Sequence, residues 1–193
     1  MAVQSSFKNM TVCLFAICLV CSALLAGVYA LTKEPIDAAA KAKNEAAIKE
    51  VLPETASAIE EERTVEMDGV TYTYNLAYDA SGNTVGCAIN VSTLGFGGPI
   101  AIKVGFDMNG VICNTKVLSQ AETPGLGAKC VEPSFADQFK GFDPAAKKLA
   151  VKKDGGDVDA ITASTITSRA YADGLALAAK VFTAIGQTPM PLN

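Results

Sequence analysis

From Met10 to Leu31 the chain reads MTVCLFAICLVCSALLAGVYAL without a single charge. No other feature constrains the fold as strongly. Roughly 20 apolar residues, rising about 1.5 Å each, span the ~30 Å hydrocarbon core of a bilayer. A cleaved secretory signal is the competing reading, because Val28-Tyr29-Ala30 resembles a small-x-small cleavage site. Signal cores usually run only about 7–15 residues, which favours a retained anchor. No lipoprotein signal precedes Cys21, since Val20 stands where a small residue is expected. Charge leaves the orientation open. Lys8 precedes the run, Lys33, Lys41, Lys43 and Lys49 follow it, and the acids Glu34 and Asp37 are interspersed. A bare count of Lys and Arg would place the following domain in the cytoplasm, but large following domains translocate largely regardless of charge.

The rest of the chain divides by pattern. Residues 1–9 form a short tail, 10–31 the transmembrane anchor, 32–53 a juxtamembrane helix and 54–193 a single domain. Lys33 to Leu52 is rich in Ala, Lys and Glu, with Ala38, Ala42, Ala46 and Ile48 at helical spacing, and Pro53 ends it. Beyond that point strands take over. VTYTYNLAY (70–78) alternates β-branched or aromatic residues, and Ala80-Ser81-Gly82-Asn83 turns it into TVGCAINVS (84–92). PIAIKVGFD (99–107) and GVICNTKVL (110–118), joined through Met108-Asn109-Gly110, signal a hairpin. A short helix is expected at Pro133–Phe139, a strand near Leu149–Lys152, and an Ala/Leu-rich helix from about Thr167 to Ile185. The fold class is α+β: an N-terminal transmembrane helix, then one domain with an antiparallel sheet and flanking helices.

Composition narrows the chemistry. Hydrophobic residues make up 50% of the chain, enough to bury a core, while a net charge of −4 argues against nucleic acid as a partner. The sequence has no His, which excludes Ser-His-Asp and Cys-His catalysis and removes the commonest zinc ligand. Of the six Cys, three lie in the apolar run; Cys87, Cys113 and Cys130 are widely spaced and lack a C-x-x-C pair. They read as small buried hydrophobes, with one disulfide among them left open.

Three segments interrupt the plain pattern. Gly95-Phe96-Gly97-Gly98-Pro99 lies between strands, where glycines serve a loop needing positive φ. Glu122-Thr123-Pro124-Gly125-Leu126-Gly127 carries Pro-Gly at a turn. The third runs from Asp157 to Arg169, with hydroxyls at Thr162, Ser164, Thr165, Thr167 and Ser168 directly before the last helix. A helix cap alone accounts for part of it. The density of hydroxyls exceeds what one cap requires, and a helix start is also an anion site, to which Arg169 could add a charged contact.

The run DAITASTITSRA (159–170) resembles the flavinylation motif of the FMN-binding domain family, usually Asp-x-x-Ser/Thr-Gly/Ala-Ala/Ser-Thr-x-Ser/Thr. In their order, the apolar span, an Ala-rich helix ending in VLP, GFGGPI, a hairpin, ETPGLG and this motif resemble the G subunits of Rnf complexes. Those are ion-translocating electron-transport assemblies between ferredoxin and NAD. The related C subunit of the sodium-translocating NADH:quinone reductase is similar but typically longer. Ala163 and Ser164 stand where Gly-Ala is most frequent, both small enough to let a flavin phosphate approach.

The resemblance implies one covalent FMN per chain, its phosphate esterified to Thr165 by a magnesium-dependent transferase that draws on FAD. It implies backbone N–H groups at Ile166, Thr167 and Ser168 and hydroxyls at Thr162 and Ser164 around the phosphate. Glu122, Thr123, Gly125 and Leu126 would lie along the isoalloxazine ring, with GFGG helping to shape the cleft. No residue is a general acid or base, and no metal site is expected. The implied partners are the lipid bilayer, other membrane subunits including a second FMN-bearing one, and the transferase. The implied location is the bacterial cytoplasmic membrane, with the soluble domain on the periplasmic or extracytoplasmic side. Two other classes remain: a stand-alone extracytoplasmic flavin reductase, and a non-redox anchored binding domain whose hydroxyls merely cap a helix.

Overall fold

The computed structural model describes residues 7–187 and divides into two units, Met1–Lys43 and Asn44–Asn193. The first unit is helical. Helix α1 (Phe7–Val51) runs without a break through the apolar segment, and its side chains there are exposed to their surroundings. Pro35 sits inside the helix, where it can donate no backbone bond. The helix is long and apolar enough to cross a membrane.

The second unit begins with the last turns of α1. Leu52 still donates to the Ile48 carbonyl at 3.2 Å, and Pro53, which cannot continue the ladder, follows. Ala47, Ile48 and Val51 are buried, and Ile48, Val51 and Leu52 cluster with Ala77 and Ala88. The sheet is antiparallel throughout. Strand β1 (Ala58–Ile59) and strand β2 (Arg63–Met67) both pair with β3 (Val70–Tyr78), and β4 (Thr84–Leu94), β5 (Pro99–Asp107) and β6 (Ile112–Ser119) follow in order. β1 and β2 were not foreseen in the pattern; β1 is only two residues long and β2 is half exposed, so neither shows a clear apolar alternation.

Period-two alternation sends the two faces of β5 in different directions. Ile100, Ile102, Val104 and Phe106 are fully buried in the main core with Tyr171, Leu175, Ala178 and Val181 of α3 (Thr165–Gln187). Gly105 belongs to the opposite face, where α1 ends: a Cβ there would collide with the Val51 carbonyl. On the core side, α3 lies close to the sheet because Gly174 allows it. A Cβ at that position would sit 3.2 Å from Thr93 and 3.3 Å from Ile102. The Thr93 hydroxyl reaches α3 directly, donating to the Ala170 carbonyl at 2.8 Å.

Helix α2 (Pro133–Ala136) passes into a single 3₁₀ turn at Asp137–Phe139. Phe135 and Phe139 pack their rings on Tyr171. The strand expected near Leu149–Lys152 is not there. Val151 forms only an isolated parallel bridge to Val158, after which Lys152–Asp154 is a 3₁₀ turn. Gly155, at φ 74°, folds the chain back within a few residues, too soon for a ladder to extend. The last helix starts two residues before the expected Thr167, which makes Thr165 its first residue.

Candidate functional site

All three interrupted segments come together at one end of the sheet. The β4–β5 connection closes on itself, Gly95 N–H donating to the Gly98 carbonyl at 2.8 Å. In the second segment, Thr123 accepts from Leu126 N–H at 3.1 Å, and Gly125 adopts φ 77°. Pro at the second and Gly at the third position make this a type II turn. The third segment turns through Ala163, at φ 61°, into α3. Glycine meets that conformation without steric cost, which gives a physical reason for its frequency at this motif position.

At the start of α3 the hydroxyls separate by role. Ser164 is the N-cap: its carbonyl accepts the first intrahelical bond, from Ser168 N–H at 3.0 Å. The Ser168 hydroxyl is buried, accepts from Ile161 N–H at 2.9 Å and donates to the Ser164 carbonyl at 3.0 Å. Both the amide and the hydroxyl of Ser168 are therefore spent inside the protein. Thr167 is buried as well and donates its hydroxyl to Glu122 Oε2 at 2.6 Å. Thr162 is exposed and lines a different depression, beside Lys129 and Gln138. Thr165 is half-buried at the first helical position, and no described residue hydrogen-bonds its hydroxyl. The N–H groups of Thr165, Ile166 and Thr167 have no intrahelical acceptor, as in any first helical turn.

These elements enclose a cleft of about 410 Å³ lined by Phe96, Glu122, Thr123, Leu126, Gly127, Ala163, Ser164, Thr165, Ile166 and Thr167. Its volume lies in the range of ~300–1,000 Å³ usual for small-molecule sites. Phe96, Leu126 and Ile166 are exposed apolar walls. Glu122 is the one charged side chain in the lining, and it is buried at 6% exposure.

Of the residues singled out in the sequence, the structure gathers Glu122, Thr123, Leu126, Ser164, Thr165, Ile166 and Thr167 around one cleft. Gly125 serves the turn and stays outside the lining, as do Thr162, Ser168 and Arg169. The Arg169 guanidinium points to Asp154 instead. Phe96 is the residue of GFGG that reaches the lining, while Gly127 and Ala163 line it without having been singled out as site residues.

The thiols do not contribute. Cys87, Cys113 and Cys130 are free; burial pushes Cys87 up to about 12 and the other two to about 11, so none is a thiolate at neutral pH. No cluster of metal-ligating side chains occurs among the described residues.

Comparison with known proteins identifies the family. Residues 95–180 match the FMN-binding domain family, and residues 1–51 match the RnfG N-terminal region. The G subunit of the ion-translocating oxidoreductase complex of Methanosarcina acetivorans is 32% identical over 179 residues, covering 91% of this chain and 94% of that protein. The protein of the same name from Stutzerimonas stutzeri is 40% identical over 101 residues, 49% of this chain and 44% of its own length. A solved structure of the C subunit of the Na⁺-translocating NADH-quinone reductase from Parabacteroides distasonis is 25% identical. It covers 64% of this chain and 76% of its own, with a TM-score of 0.48. The chain belongs to the family of G subunits of ion-translocating oxidoreductase complexes, and its C-terminal part is an FMN-binding domain.

Proposed function

We propose that this chain is the electron-relay subunit of a membrane-bound, redox-driven ion translocator of the ferredoxin/NAD type. In this reading it holds one FMN through a phosphoester to Thr165. The observation that carries the site is the sorting of hydroxyls in the motif. From Thr162 to Ser168, Thr165 alone combines a place in the cleft with solvent access and a hydroxyl bonded to no described residue.

The residues present fit the group. First-turn N–H groups at Thr165, Ile166 and Thr167 suit the ester's phosphate, with the helix dipole adding to them. Phe96, Leu126 and Ile166 suit the faces of a planar aromatic ring. When bound, the flavin supplies the redox chemistry, and the protein supplies attachment, orientation and partial exclusion of water. In forming the ester, Thr165 Oγ–H gives up its proton and an Oγ–P bond forms. The bond between the two phosphates of FAD breaks and AMP leaves. The base and the metal for that step belong to the transferase.

A tethered cofactor suits a relay, because it cannot dissociate while its ring stays open to partners. Residues 10–31 serve as the single membrane anchor, 32–53 as the helical lead and 54–193 as the flavin domain, facing the extracytoplasmic side. The other membrane subunits, one of them bearing a second FMN, would take and return the electrons.

Intact mass of the purified chain tests the reading. Co-expression with a flavin transferase should add one FMN less one water, and Thr165→Ala should abolish the addition. An unmodified wild-type chain under those conditions would sink it.

A further inference from the structure

Glu122 joins the two other segments of the cleft to its own. Oε1 accepts from Gly97 N–H in the β4–β5 connection at 2.9 Å, and Oε2 accepts the Thr167 hydroxyl of α3 at 2.6 Å. Glycines make room for this carboxylate on two sides: a Cβ at Gly95 would collide with Oε1, and one at Gly127 with Oε2. The partners lie 25 residues upstream and 45 residues downstream. No other hydrogen-bonded side chain in the lining bridges the three segments.

The geometry points to Glu122 as a positioning residue for flavin attachment, acting through these two hydrogen bonds rather than through its charge. This inference rests on Thr165 as the attachment site. The bond to Thr167 fixes the rotation of the first turn of α3, on which Thr165 sits two residues earlier. The bond to Gly97 holds the wall that carries Phe96 at a set distance from that turn. Thr165 presents its hydroxyl in one geometry only when both bonds are made. The same contacts give Thr167 its role: the hydroxyl at the last motif position is a tie to Glu122 and not a ligand.

Substitutions separate bond from charge. In Glu122→Gln the amide oxygen can still accept from Gly97 N–H. The amide nitrogen donates to Thr167, whose hydroxyl is both donor and acceptor. That variant keeps the geometry and loses the charge. Glu122→Ala loses both bonds, Thr167→Val loses one, and Thr167→Ser keeps it.

The experiment is a time course of FMN addition to the full-length chain, co-expressed with limiting transferase and read by intact mass. The expected result is addition within about twofold of wild type for Glu122→Gln and Thr167→Ser. Thr167→Val and Glu122→Ala should fall at least tenfold, by analogy with the loss of a bond to a charged group. Glu122→Gln as slow as Glu122→Ala, or Thr167→Val as fast as wild type, overturns the inference. Amide hydrogen exchange on the unmodified chains gives a second readout that needs no flavin. The amides of Gly97 and Ser168 should exchange faster in Thr167→Val and Glu122→Ala but not in Glu122→Gln; equal exchange in all four chains also overturns it. A wild-type chain that takes up no FMN while its variants show the expected exchange pattern refutes the Thr165 reading and leaves the tie standing.

Discussion

Arg169 lays its guanidinium along the Asp154 carboxylate, Nε to Oδ2 at 2.6 Å and Nη2 to Oδ1 at 2.7 Å, one helical turn beyond Thr165. The arrangement keeps a cation out of the cleft lining. Arg169→Ala is therefore expected to leave FMN addition, read by intact mass, close to the wild-type level. A severe loss would mean that Arg169 leaves Asp154 for the phosphate. Both side chains are more than a third exposed, so the pair contributes little to stability. The Arg169 partner holds the Asp154 carboxyl below its ordinary value. Whatever the pair contributes is thus present above the ordinary carboxylate pKa and fades as pH falls through the lowered one.

Ala163 occupies the left-handed region at φ 61°. A Cβ in that conformation costs roughly 1–2 kcal/mol, partly offset by the greater chain entropy of glycine in the unfolded state. Ala163→Gly should raise stability by about 0.5–1 kcal/mol in urea unfolding of the detergent-solubilised chain, and Ala163→Val should lower it. A glycine variant less stable than wild type would show that the turn is not strained.

Tyr171 and Thr115 share a hydrogen bond of 2.8 Å between their hydroxyls, with Tyr171 wholly buried and Thr115 at 5% exposure. Burial holds the phenol well above its ordinary pKa, so it stays protonated over the working pH range. Thr115→Val leaves the phenol without a partner and should cost about 1–3 kcal/mol. Adding Tyr171→Phe removes the stranded group and should restore most of that loss. A double variant as unstable as the sum of the singles would refute the pairing.

Lys103 is fully buried, and its Nζ has Asn75 Oδ1 at 3.5 Å as its hydrogen-bond partner. Across the sheet it faces Asn90 on one side and Lys116 on the other, and Glu62 is the acid whose field reaches it. Burial pushes its pKa down to about 8 from an ordinary value of 10.5. Between those values the unfolded chain binds more protons than the folded one, so stability due to this group rises with pH across the window. Below it the charged form is buried at full cost. Lys103→Met should be more stable than wild type at pH 7, with the difference shrinking from about pH 8 to pH 10. A constant difference over a series of urea titrations would show that the cost is not one of charge.

Much was legible in the chain itself, because local patterns record burial. The alternation in 70–78 and 99–107 placed β3 and β5 to the residue, and the uncharged run announced a span-length helix. Tertiary context overrode local pattern where few residues were available to record it. Val151 looked like strand, but the tight reversal at Gly155 left it one bridge. β2 is half exposed, so its apolar signal was too weak to read.

The candidate site divides in the same way. The order of GFGG, ETPGLG and TAST, with a hydroxyl-rich helix start, is a property of the sequence, and it suffices to name a phosphate-bearing ligand and a family. The motif resemblance points to Thr165, but why its hydroxyl is the available one is not written there, since all five are chemically alike until the chain folds. Ser168 and Thr167 are taken by Ile161, Ser164 and Glu122, Ser164 is buried, Thr162 faces another surface, and Arg169 is drawn off by Asp154. Those partners are up to 45 residues away. A hydrogen bond depends on distance and direction in space, which residue order does not contain; packing α3 onto the sheet is what brings the groups into range.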